Sequence, residues 1–153
     1  MLNSFTVPEP QVVRAPPGPS FVNFKTWLAV ANWSNQSASA SAGGLTSTVT
    51  AVPQRVTWEM GPPGAIVVCN GPGERYDPSV PDEWQDTDCG YTYLRSSAGV
   101  GSNNAYTARA TVTYRATWSA TDGTGGVIGT VSRSTTFSVQ VAEIQALNTN
   151  QRY

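Results

Sequence analysis

Histidine is absent from the chain. That excludes Ser-His-Asp and Cys-His catalytic designs. Lysine is nearly absent: Lys25 stands alone beside eight arginines. It sits in Phe24-Lys25-Thr26 with no glycine loop before it, so a Gly-x-x-x-x-Gly-Lys phosphate cradle is excluded too. Charge is scarce, at 12% of residues with a net of −1, against a usual share of about a quarter. So neutral a chain has no broad attraction for nucleic acid or an acidic membrane surface. No stretch approaches the roughly 20 apolar residues of a spanning helix, so direct membrane insertion is not expected. Cysteine is limited to Cys69 and Cys89. With no histidine or third cysteine they cannot complete a zinc site, and no cofactor is expected.

Serine, threonine, glycine and proline fill the space left by charge. That mix suits short strands joined by turns and disfavours long solvated helices. At 153 residues one domain is expected, large enough to bury a core without several disulfides. Five prolines fall in residues 1–20. Proline fixes φ and removes a donor, so this stretch is expected to be an extended arm, either a linker or a partner-docking segment. Residues 21–147 form the expected domain, and 148–153 a polar tail. Met1–Pro10 has neither the basic nor the apolar region of a signal peptide. An upstream leader, another export route and a cytosolic protein all stay open on that ground.

Alternation of apolar and polar residues marks half-buried strands. Val49 and Ala51 share one face; beyond Pro53, Val56, Trp58 and Met60 share a face one residue out of phase. A bulge or a sheet crossing at Pro53 is expected. Ala65–Cys69 reads as a buried strand and Phe21–Trp33 as a strand or packed irregular segment. Ser34–Gly44 reads as a loop. The strongest alternation runs over 106–120, where Tyr106, Ala108, Ala110, Val112, Tyr114, Ala116, Trp118 and Ala120 share a face. At about 3.3 Å per residue this strand would reach on the order of 50 Å, so it bends or forms a long hairpin arm. A turn over Asp122–Gly126 returns the chain through Ser132–Val141. About seven strands result, and a β-sandwich is the expected architecture.

Several short runs resemble the PKD-type immunoglobulin-like domain: Trp58-Glu59-Met60-Gly61, Tyr91-Thr92-Tyr93, Ser97-Ala98-Gly99 and Tyr106-Thr107-Ala108-Arg109-Ala110-Thr111-Val112. The chain is also similar to secreted proteins of high-GC Gram-positive bacteria that share a Cys…Cys-x-Tyr-Thr-Tyr arrangement and a Val-Ala-Glu-Ile-Gln-Ala-Leu ending. Here these are Cys69, Cys89–Tyr93 and Val141–Leu147. The resemblance covers roughly residues 44–147. It implies an all-β, immunoglobulin-like (PKD-like) sandwich on an exported or surface protein, used as a spacer or adhesive module. Pro62-Pro63-Gly64 departs from the Asp-Gly turn of that family.

Cys69 and Cys89 enclose residues 70–88. The expectation is a disulfide, worth about 3 kcal/mol in the chain-entropy model; two buried thiols are the alternative. A disulfide points to an oxidising, extracellular or cell-surface compartment. Six of the ten acidic residues fall in 74–88, around Trp84. This stretch is a solvated loop, a weak calcium candidate through Asp82, Asp86 and Asp88, or a partner or ligand surface. In that last reading Trp84 is the anchor and Asp77, Asp82, Asp86 and Asp88 its polar flank. The calcium pattern lacks the central glycine and distal glutamate of an EF-hand. Asp82 and Asp86 could in principle do glycoside chemistry, but both lie on one loop. Trp58, Tyr93, Tyr106, Val112 and Trp118 are the expected core, with Trp27 beside them. The Tyr106 hydroxyl is expected to bond nearby backbone, as in a tyrosine corner. The expected function is a non-catalytic structural or interaction module with a protein partner. A carbohydrate or envelope-polymer binder using residues 70–88 is the alternative.

Overall fold

The computed structural model describes residues 5–144, and the polar tail expected at 148–153 lies outside them. The described chain is all-β, with one 3-10 turn at Asp82–Trp84. Its ten strands are β1 (Val12–Ala15), β2 (Ser20–Phe21), β3 (Lys25–Val30), β4 (Gln36–Ala42), β5 (Leu45–Glu59), β6 (Ile66–Cys69), β7 (Gly90–Thr92), β8 (Tyr106–Ala120), β9 (Gly125–Val139) and β10 (Val141–Ala142). A five-stranded sheet runs β4-β5-β8-β9, with β6 also paired to β5; a three-stranded sheet runs β1-β3-β7; β2 and β10 form a short parallel pair.

The core lies between the two larger sheets, as in a sandwich. Leu28 and Val30 come from the small sheet; Val56, Trp58, Ala108, Ala110, Val112 and Val139 come from the large one. Alternation decides which side chains enter. β5 is one strand of 15 residues, with a register shift between Pro53 and Arg55. Val49 and Ala51 are buried before the shift, and Val56 and Trp58 after it. The extra residue, Gln54, thus absorbs the change of phase that the alternation shows. β8 spans the strongest alternation and forms a long hairpin with β9, whose turn is held by Asp122 accepting from Thr124 N and Oγ1 at 3.0 and 2.6 Å.

The centre is aromatic. Trp58 and Tyr93 are fully buried, Val112 almost so, and Tyr106 is 9% exposed. Tyr93 stacks on Tyr106, with ring centroids 5.0 Å apart, and donates to Met60 O at 2.7 Å. The Tyr106 hydroxyl donates to Arg95 O and Ser96 O, both at 3.1 Å, as a tyrosine corner requires. Burial pushes the Tyr93 hydroxyl pKa well up, so it stays protonated as that donor.

Four expectations need correction. Ser34–Gly44 is not a loop: β4 fills most of it and pairs with β5 from Gln36↔Ala51 to Ala42↔Leu45. Gly43 and Gly44, with φ of 58° and 80°, make the two-residue turn that such a hairpin favours. Serine and alanine carry little strand propensity; here cross-strand bonds Ser39–Thr48 (2.8 Å) and Ser41–Thr46 (2.7 Å) support the pairing. β6 is not fully buried, because only one face of its sheet is covered: Ile66 and Val68 are exposed while Val67 and Cys69 face the core. Trp118 is half-buried and outside the core cluster. The long strands outrun the small sheet, whose longest member, β3, has six residues. Finally, the proline-rich stretch is extended but built in. Val7 is buried, and β1 pairs with β3 along its whole length.

Candidate functional site

Cys69 ends β6 of the large sheet and Cys89 directly precedes β7 of the small one. They form a disulfide, with Cα atoms 5.7 Å apart, so the two sheets are cross-linked. The intervening residues 70–88 are not a free solvated loop. They fold back on the small sheet at several points. Val30 N donates to Pro72 O at 2.8 Å, and Gly73 makes a bridge with Ala29. Lys25 Nζ donates to Asp86 Oδ1 and Thr87 O, both at 2.8 Å. Tyr76 stands edge-on to Trp27, centroids 5.5 Å apart, so Trp27 is buried under this segment and outside the main core.

The segment also braces itself. Gln85 Nε2 donates to Asp77 O and Val80 O at 2.7 and 3.0 Å, and its Oε1 accepts from Asp77 N at 3.1 Å. Asp77 Oδ1 accepts from Ser79 N and Oγ at 2.9 and 2.6 Å. The Tyr76 hydroxyl bonds Asp82 Oδ1, which raises the tyrosine pKa. Asp77 lies below the usual carboxylate range because of its bonds to Ser79. Asp86 lies below it because of its bond to Lys25.

Between this segment and the proline-rich edge opens a groove of about 750 Å³. Phe21, Phe24, Trp27 and Tyr76 give it aromatic surface, and Ala15, Pro16 and Pro17 line it beside β1. Phe24 is 57% exposed. Asp82, Gln85 and Asp86 also line it, as do Glu74 and Arg75. Arg14, another lining residue, is folded onto Pro16 O and Gly18 O at 3.0 and 2.7 Å. Among the described residues the side chains of Glu74 and Arg75 make no hydrogen bond or ion pair, which leaves them open to a ligand.

The acidic residues singled out in the sequence therefore separate. Asp82 and Asp86 reach the groove, while Asp77 ties the backbone. Asp88 is exposed and does not line the groove. Among the described residues no three carboxylates converge as a metal site, so the structure does not assemble a calcium site from Asp82, Asp86 and Asp88. Two of that set are spent on Tyr76 and Lys25 instead. Trp84 is 77% exposed on the 3-10 turn and stands outside the groove. The groove's own aromatics, Phe21, Phe24 and Tyr76, were not legible as a site. They come from two places in the sequence, and only the folding back of residues 70–88 joins them.

Gly73 is what permits that folding back. Its φ is +82°, and a Cβ there would run into the Leu28 carbonyl oxygen. Gly73→Ala is expected to lift the segment from β3 at a cost of about 1–3 kcal/mol. Hydrogen exchange should show lost protection at Val30 N, while β8 amides hold theirs. Unchanged exchange at Val30 would show that the contact is not strict.

Comparison with family models, with curated proteins and with solved structures finds no match for this chain.

Proposed function

We propose that this chain is a non-catalytic interaction module of a secreted or cell-surface protein or assembly, and that the aromatic groove is its contact site. The groove carries the reading. It is concave, mostly apolar and rimmed by a few polar groups, which is how binding sites are commonly built. One of its carboxylates supports binding over proton transfer: Asp86 is held below the usual carboxylate range by its bond to Lys25, whereas a general acid needs a raised pKa. The Cys69–Cys89 disulfide supports an oxidising compartment. Two features support the finer, PKD-type immunoglobulin-like assignment. Trp58 is buried in one cluster with the cross-linked cysteines, and the Tyr106 hydroxyl is held by upstream backbone.

A protein partner is the first reading. The second, a carbohydrate or envelope polymer, is favoured by the exposed ring of Phe24, since flat aromatic faces stack on the apolar faces of sugars. A glycan array and a cell-wall pulldown separate the two. In either case Phe24→Ala should weaken binding about tenfold or more, as loss of an aromatic anchor does. Trp84→Ala should change it less than about twofold. The opposite order would move the contact site to the tip of the 3-10 turn.

A further inference from the structure

An unpaired strand edge offers its backbone to any strand that fits, and folded proteins guard such edges with charge, proline, bulges or shortness. Among the described residues every edge of the two larger sheets but one is guarded. β1 is four residues long and is followed by Pro16 and Pro17. β6 has four residues and β7 three. β9 is long, but its register breaks opposite Ala116 and Thr117. Its second half is engaged by the N-terminal segment, where Arg133 donates to Val7 O at 2.9 Å and faces Glu9 at 3.7 Å. β4 has none of these devices. It has seven residues, an unbroken register against β5, no proline and no charge, and it lies at the sheet edge.

Hairpin geometry says which β4 groups point outward. The residues flanking a two-residue turn exchange hydrogen bonds, and the bonded pairs then alternate. Ala42↔Leu45 is thus a bonded pair, as are Ala40↔Ser47 and Ala38↔Val49. The backbone N–H and C=O of Ser37, Ser39 and Ser41 therefore face away from β5. The short Oγ–Oγ contacts of Ser39 and Ser41 fit this assignment, because side chains lie closer in non-bonded pairs.

We propose that β4 pairs antiparallel with β4 of a second copy of this chain, about a two-fold axis at Ser39. In that register Ser39 faces Ser39 and Ser37 faces Ser41. Each of these pairs can exchange two backbone hydrogen bonds, using the groups β5 leaves free. Ala38 faces Ala40, so serines continue on one face of the joined sheet and alanines on the other. Only this kind of self-complementary match closes as a two-fold dimer. Charge does not oppose it: no charged residue lies between Lys25 and Arg55. Seven-residue strands bury less than the roughly 800 Å² per partner of a standard interface, so the dimer is weak and concentration-dependent.

Sedimentation of the full chain from about 10 μM to about 1 mM should show a monomer–dimer equilibrium in the range of weak complexes. Ser39→Pro removes an outward donor that β5 does not use, and should leave a monomer with an unchanged strand signal in circular dichroism. Register is read independently by cross-linking under oxidation. Ser39→Cys brings two Cα atoms to about 5.5 Å, within the roughly 4.4–6.8 Å reach of a disulfide. Ser37→Cys leaves them about 14 Å apart along the strands, beyond that reach. Covalent dimer from Ser39→Cys alone is the expected result. A monomer at every concentration, equal cross-linking of the two cysteine variants, or a dimer that survives Ser39→Pro each overturns the proposal.

Discussion

Replacing Cys69 and Cys89 together by alanine is expected to lower the melting temperature by roughly 6–12 °C. The cysteines are 20 residues apart, and a closed loop of that size stabilises by about 3 kcal/mol in the chain-entropy model. For a chain of this length each kcal/mol moves the midpoint by about 2–4 °C. The effect should be unevenly spread. Trp58, Tyr93 and the β5–β8 ladder keep their packing without the cross-link, so their amides should stay protected in hydrogen exchange. Residues 70–88 hold on through Pro72, Gly73, Asp86, Thr87 and Tyr76 alone, and should exchange faster. A melting temperature that does not move would show that these contacts suffice without the disulfide.

The largest single-residue effect is expected at Trp58. Its side chain is fully buried and meets Phe137 edge-on, with centroids 6.1 Å apart. Trp58→Ala should cost about 3–5 kcal/mol in urea unfolding, through lost contact and the cavity left behind. Trp58→Phe should cost less than about half of that. The indole Nε1 is buried with no hydrogen-bond partner among the described residues, so phenylalanine removes an unpaired donor and keeps most of the ring contact. Equal destabilisation by both variants would mean that the indole N–H does find a partner.

What could be read from the chain depended on how local the cause was. The alternation over 106–120 and the change of phase at Pro53 are backbone periodicities, and both appear as strands at those residues. The role of Tyr106 was legible because its partners, Arg95 and Ser96, are only 11 and 10 residues upstream. β4 was missed because its serines and alanines carry no apolar signal; its stability is lent by β5 through a Gly-Gly turn. Trp118 alternates in phase with the core, yet the sheet opposite it stops short, and only the tertiary arrangement sets that limit. The acidic segment was visible as a cluster of charge. What it does, covering Trp27 and walling a groove, depends on Gly73 seating it against β3 and on Lys25 meeting it from elsewhere in the fold.

Lys25 has one more consequence. It is the only side-chain amine in 153 residues, and its nitrogen fastens residues 70–88 at Asp86 and Thr87. Acetylation there removes both the charge and the shape of that clasp. Amine-directed dyes, resins and cross-linkers have this one side chain to react with. Coupling at that side chain acts on the wall of the groove itself, and a protein immobilised through its lysine presents a different surface from the one in solution.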